Sequence, residues 1–409
     1  MKIRSLFQKS FALLACITTL TGLAFAQRPG SQTPREEKLL NGLKLLMWND
    51  PSAPDVKISI RIHSGAAFDP QGKEGVMKLL SESIFPTQLA RDYFSEELGG
   101  SLEVISNYDY TQVNASAPSA GFLRLLETVA QAVSNVTIDK ETTAAVKKSL
   151  SEQLAVLEKD PAYVLERATA KRLFGTFPYG RPPMGSVESL QRIDFADLQF
   201  AKERFLSADN ATVTISGNFS GDLGYRAARR FFGAWLKSDK RVPSTFRQPD
   251  APDTKLLELS LAGASPQSIF ALRGLAKNDP DFLASLVLEN ILKARSIKNG
   301  GSAVVSHEPH VLPGVVLVKL AGSAPFPFGL FTDKISDSEF SKARDEAVAE
   351  LAKRPITERW LDGDTYRMTV GFDTTSFIKV TLADVQRVAD RLAKNPIVSV
   401  VATSPTAGQ

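Results

Sequence analysis

The sequence predicts an α+β protein of two related domains, each a mainly antiparallel sheet packed with helices. Three observations predict it. Short segments that alternate apolar and polar residues, such as Val56-Lys57-Ile58-Ser59-Ile60-Arg61-Ile62, recur with turn residues between them. Amphipathic stretches of helical period separate these strands. The two halves also end alike: a capped helix at 197–206 feeds a β-branched strand at 211–215, and another at 384–392 feeds 397–401.

The elements follow in order. Residues 1–26 read as an export signal: Lys2, Arg4 and Lys9 precede a mostly apolar run, and Ala24-Phe25-Ala26 is a small-x-small cleavage site. Leu13-Leu14-Ala15-Cys16 resembles a lipoprotein cleavage box, so lipid attachment at Cys16 is the alternative to cleavage after Ala26. The polar stretch 27–37 reads as a leader, with order beginning near Leu39. Strands are expected at 43–48 and 56–63. A turn-rich loop, 65–74, leads to a short helix at 75–85. A second helix, 89–98, stops at Gly99-Gly100. Residues 102–117 read as a hairpin turning near 107–109. Helices follow at 120–133, 139–158 and 161–174. The domains are expected at 27–240 and 256–409, joined by a Lys-, Arg-, Pro- and Asp-rich linker at 241–255. In the second domain, strands are expected at 256–261, 267–272 and 311–320, and helices at 279–292 and 337–353.

Composition excludes several functions. Cys16 is the only cysteine and lies in the signal, so the exported chain has no disulfide, thiolate metal site or cysteine nucleophile. Without residues 1–26 the charge is +1, which favours neither nucleic acid nor an anionic membrane as partner. No stretch after the signal is long and apolar enough for a transmembrane span.

The helix at 75–85 carries the most chemical information. Positions 78, 81 and 82 are spaced i, i+3 and i+4, so their side chains leave one face. An inverted zincin site, His-x-x-Glu-His, uses that spacing to hold zinc and activate water. Here the positions hold Lys78, Ser81 and Glu82. An ammonium has no lone pair for zinc, and an unassisted serine hydroxyl is no base near neutral pH. The bland alternative is an i,i+4 ion pair on an ordinary helix face.

Other residues carry weaker signals. His63 reads as a surface or loop histidine. His307-Glu308-Pro309-His310 reads as a loop entering the next strand, since Pro309 prevents a regular helix there. Phe326-Pro327-Phe328 reads as a rigid apolar loop, buried rather than exposed. Tyr179 and Arg181 read as fixing a turn.

Taken together, these landmarks resemble the pitrilysin/insulinase (M16) family of zinc metallopeptidases, and within it a non-catalytic bacterial member related to mitochondrial processing peptidase subunits. The residues that carry the resemblance are Asn41-Gly42-Leu43, Asp69-Pro70-Gln71-Gly72-Lys73-Glu74-Gly75, Leu98-Gly99-Gly100, the run from Phe177-Pro178-Tyr179-Gly180-Arg181-Pro182 to Gly185-Ser186, and 210–218. The resemblance implies a clamshell of two M16-like domains, with a degenerate zinc site at Lys78, Ser81 and Glu82. Glu152 matches the family's third ligand position, with Gln153 one register away. The resemblance also implies an Arg…Tyr pair in the second domain that grips substrate. Arg295 stands near the arginine position, but 296–314 contains no tyrosine, and Tyr366 comes much later. No zinc or other cofactor is therefore expected. The expected role is a periplasmic, non-catalytic subunit that supports peptide binding by an active M16 partner. An active zinc peptidase with an unconventional site and a standalone peptide-binding module are the alternatives.

Overall fold

A computed structural model describes residues 33–238, 247–298, 303–322, 324–368 and 374–404. The signal, Cys16, linker residues 241–246 and Gly300-Gly301 lie outside these residues. In the first half the strands are β1 (Arg35–Lys38), β2 (Lys44–Asn49), β3 (Asp55–Ile62), β4 (Ser101–Ser106), β5 (Thr111–Pro118) and β6 (Ala211–Gly217). The helices are α1 (Val76–Glu82), α2 (Gln88–Glu96), α3 (Phe122–Ser134), α4 (Lys140–Leu157), α5 (Pro161–Phe174), α6 (Val187–Gln191), α7 (Phe195–Phe205) and α8 (Gly221–Phe232). The second half holds β7 (Leu257–Ser260), β8 (Gln267–Arg273), α9 (Phe282–Lys298), β9 (Ala303–Glu308), β10 (Val315–Ala321), α10 (Gly329–Thr332), α11 (Asp337–Lys353), α12 (Ile356–Tyr366), α13 (Leu382–Leu392) and β11 (Val398–Thr403).

The expected fold class, two related α+β halves of a clamshell, is observed, and the duplication is visible in strand order. The first sheet runs β1-β2-β6-β3-β5-β4 and the second β7-β11-β8-β10-β9. With β1 set aside, both sheets place the first strand of the half beside the last, then the second, fourth and third. In both, the first–last pair is parallel and the other pairs are antiparallel. The 2.0-residue period of each strand sends alternate side chains to opposite faces. In the first sheet Val56, Ile58, Ile60 and Ile62 join Val213 and Ile215 in a core covered by α3 and α8. In the second, Phe270, Leu272, Val316 and Val318 pack against α9, α11 and α13.

The remaining face of each sheet is covered by a helix from the other half. Helix α5 sets Leu165, Leu173 and Phe174 against Ile269, Ala271, Val398 and Val400 of the second sheet. Helix α12 lies on the first sheet, where Trp360 meets Trp48 edge-on at 6.0 Å. Its other contacts are charged. Arg61, fully buried on β3, donates to Asp362 at 2.7 Å, to Glu358 at 2.6 Å and to Gln112 at 2.5 Å. Its guanidinium lies 3.9 Å from the Tyr110 ring centroid. The second oxygen of Asp362 takes Lys277 at 3.1 Å and Arg354 at 2.8 Å. Burial alone would raise this carboxyl, but Lys277, Arg354 and Arg61 outweigh it and hold Asp362 well below the usual carboxylate range.

Several expectations need correction. Residues 35–37, read as leader, belong to edge strand β1, which also carries the pairs Arg35–Asp222 at 2.9 Å and Lys44–Glu36 at 3.1 Å. A short edge strand is held by its ladder to β2 and needs no apolar pattern. His307 belongs to strand β9, not to a loop. His63 is no surface residue: its ring nitrogens lie 3.1 Å from Thr365 Oγ1 and 3.0 Å from Thr212 Oγ1, beneath α12. Phe326 is half-buried among Phe270, Phe328 and Phe331, whereas Phe328 is 57% exposed.

Candidate functional site: the α1 helix

The approach to α1 is built by backbone constraints. After β3 the chain turns through 66–68 to Asp69, whose carboxylate accepts from Gly75 N at 2.7 Å and Met77 N at 2.8 Å. These bonds satisfy amide groups that the first helical turn leaves open. Burial pushes the Asp69 carboxyl up to about 7, against the pull of those two N–H donors. Gly75 caps the helix at φ +103°, and a Cβ there would lie 2.7 Å from the Leu190 side chain. Glycine is therefore required at this entry.

Helix α1 buries Val76, Met77, Leu79 and Leu80 against Val146, Leu150, Leu154, Leu198 and Phe205. The opposite side carries the residues that the sequence singled out. Lys78 Nζ lies 2.5 Å from Glu82 Oε1, and Arg91 on α2 donates to Glu82 Oε2 at 2.5 Å. Lys78 and Glu82 remain 16% and 26% exposed. Ser81 is buried, and its hydroxyl donates to the Lys78 carbonyl at 2.7 Å.

The arrangement does not fit zinc. Both oxygens of the one carboxylate are held by fixed cations, and the flanking ammonium would repel a metal ion. Among the described residues no group of three or more His, Cys, Asp or Glu is placed to hold a metal. Glu152 stands on the exposed side of α4, whose buried side is Thr143, Val146, Leu150 and Leu154. Its side chain makes no hydrogen bond or ion pair among the described residues, and Gln153 beside it is also exposed. Nor does the Ser81 hydroxyl, spent on a backbone carbonyl, face a base. What this surface offers chemically is a fixed carboxylate with a cation on each oxygen.

The other candidates turn out to be structural ties. Arg295 is buried in the second half, with all five N–H groups occupied: Glu339 takes two, and the carbonyls of Leu330, Asp333 and Lys334 take the rest. It presents no free donor to a substrate. Tyr366 and Tyr179 donate to opposite oxygens of buried Asp109 at 3.2 and 3.1 Å, and His310 Nδ1 lies 2.8 Å from the same carboxylate. Tyr179 Oη also accepts from Leu312 N at 3.2 Å. Tyr179 thus pins the two halves together in addition to holding its turn. Arg91 and Asp109 were not anticipated. Arg91 acts from a neighbouring helix, and no spacing rule within α1 points to it.

The chain matches the family model described as Insulinase (Peptidase family M16) over residues 44–186. A protein of Rickettsia bellii named "Uncharacterized zinc protease" is 24% identical over 211 residues, which is 50% of this chain and 50% of that one. The aligned region therefore spans about half the length of such curated relatives. Among solved structures, a protease from Helicobacter pylori superposes with a TM-score of 0.82 at 15% identity, covering 91% of this chain and 100% of that one. A Pseudomonas fluorescens structure described as a peptidase M16 inactive domain gives 0.79 at 18% identity, covering 92% and 99%.

Proposed function

We propose that this chain, which belongs to the insulinase (M16) peptidase family, is an exported, catalytically silent member that supports peptide binding and proteolysis by an active M16 partner. One observation carries the reading. At the position where the resemblance implies zinc in active members, Lys78 and Arg91 clamp Glu82 instead. Two organic cations on the carboxylate supply the positive charge that a divalent ion would otherwise bring to it. Both oxygens of the Glu82 carboxylate are thereby engaged within the fold. The likeness to a structure described as an inactive M16 domain supports the same reading. Export to the periplasm is proposed from Lys2, Arg4, Lys9 and the Ala24-Phe25-Ala26 site. No helix among the described residues is long and apolar enough to cross a membrane.

The test is reconstitution. An M16 homologue from the same cell with an intact His-x-x-Glu-His is purified with and without this chain. Co-elution on size exclusion and a rise in its peptide cleavage are expected. A chain that stays monomeric beside that homologue and leaves its activity unchanged contradicts the proposal.

A further inference from the structure

Behind α1, away from the Lys78–Glu82 surface, the first half holds a partly open cavity of about 330 Å³. Its walls include Phe68, Pro178, Phe200 and Phe205, and two arginines, Arg181 and Arg204, line it as well. The guanidinium of Arg204 lies 5.9 and 5.6 Å from the ring centroids of Phe200 and Phe205. It has no hydrogen bond or ion pair among the described residues, and its Nε is buried without a partner. Arg181 donates to the Asp69 carbonyl at 2.8 Å through Nη1, with Glu74 at 3.9 Å, but its buried Nε is also unpartnered. A buried donor without an acceptor loses its water and gains nothing in return. Of the five arginine Nε atoms in that state among the described residues, these two line one cavity.

The two carboxylates of the lining are already engaged. Asp69 accepts the amides of Gly75 and Met77, and Asp197 takes Lys73 at 2.6 and 2.7 Å. They leave room for one added negative charge and disfavour a dianion such as phosphate. The aromatic and proline walls suit an apolar body, and the volume lies at the small end of ligand pockets. Phe200, 51% exposed, is the wall that also reaches solvent.

We propose that this cavity binds a compact apolar carboxylate, held by the guanidinium groups of Arg204 and Arg181 and by the aromatic walls. Two sources share that chemistry: a free aromatic acid and the C-terminal residue of a peptide. The inference is independent of the partnership proposed above, since no element of it lies on the Lys78–Glu82 surface.

Calorimetric titration of the full chain tests it with three probes: 3-phenylpropionate, its neutral amide, and a short acetylated peptide ending in phenylalanine with a free carboxylate. Saturable binding of at least one acid is expected, with the amide about tenfold weaker or worse, as loss of a charge-assisted hydrogen bond implies. Binding of the peptide identifies a chain terminus as the source, and binding of phenylpropionate alone identifies a free acid. Arg204→Gln, which removes no hydrogen bond or ion pair among the described residues, weakens the acid about tenfold while its lost ring contacts shift Tm only slightly, and Phe200→Ala weakens acid and amide alike. No saturable binding of either acid up to low millimolar concentration, or binding indifferent to Arg204→Gln, overturns the proposal.

Discussion

Helices α5 and α12 cross between the halves in opposite directions, and they dock by opposite chemistry. Helix α5 lays Leu165, Leu173 and Phe174 on a sheet face of Ile269, Ala271, Val398 and Val400. Helix α12 lays Glu358, Asp362 and Asp364 on a face holding Arg61, Lys44, Thr212 and His63. Apolar burial is non-directional, so the α5 layer supplies attraction without fixing a register. The α12 layer works differently. Desolvating its charges costs several kcal/mol per ion, and only complete pairing offsets that cost. It therefore tolerates one arrangement of the halves and penalises others. The α1 surface has the same kinds of group, Lys78, Arg91 and Glu82, but leaves them partly in water, where such pairs weigh little.

The largest loss is expected from Asp362→Ala, which leaves Arg61, Lys277 and Arg354 without their common anion. A loss of about 3–5 kcal/mol in denaturant unfolding is expected. A loss under about 1 kcal/mol would show that the cluster is solvated and carries little. Next comes Leu165→Ala in the α5 layer, a fully buried side chain, with an expected loss of about 2–5 kcal/mol from transfer and cavity formation. Raising salt should leave both losses nearly unchanged, because buried charges are weakly screened and apolar packing does not depend on charge.

The pH dependence is smaller and separates the layers further. Burial, with help from Arg61 and Lys44 and against Asp364, lowers His63 to about 4, and burial lowers His307 to about 4, from an ordinary 6.5. Above pH 6.5 the contribution of these neutral rings is complete. As the pH falls from 6.5 towards about 4, only the unfolded chain takes up the protons, so stability is lost. The depressed Asp362 adds a further loss below its ordinary 3.8. His63→Gln should flatten the fall between pH 6.5 and about 4, read from unfolding midpoints at several pH values. An unchanged slope would place the titration elsewhere. The smallest effect is expected at α1: Glu82→Gln should change stability by about 1 kcal/mol or less.

These contrasts explain what the sequence could and could not reveal. The strands with one apolar face were legible because alternation survives: 56–63 and 102–117 appear as β3 and the β4–β5 hairpin. Helix α12 was invisible for a physical reason. Its buried side includes Asp362, so a pattern that sends charge outward reads it backwards. Helix α8 begins Gly221-Asp222-Leu223-Gly224, which reads as a turn. Yet Gly224 is there because a Cβ would lie 2.7 Å from the Phe219 ring. Strand β9 is a short run bracketed by Gly300-Gly301 and Pro309, which made its end at His307-Glu308 look like loop. The exchange of α5 leaves no local trace, since an amphipathic helix looks the same whichever sheet it covers. At the site, Lys78, Ser81 and Glu82 were found by spacing alone, whereas Arg91 required the packing of α2 against the same surface.

On the proposed reading, Lys78 and Arg91 occupy the electrostatic place of a metal on α1. Zinc content of the purified full chain tests it most directly, measured by elemental analysis after equilibration with a slight excess of zinc and removal of the free ion. Less than about a tenth of an equivalent per chain is expected, since an ordinary zinc site with three or four donors stays filled through that step. Close to one equivalent, lost on Glu82→Gln, would contradict the claim and return the helix to service as a metal site.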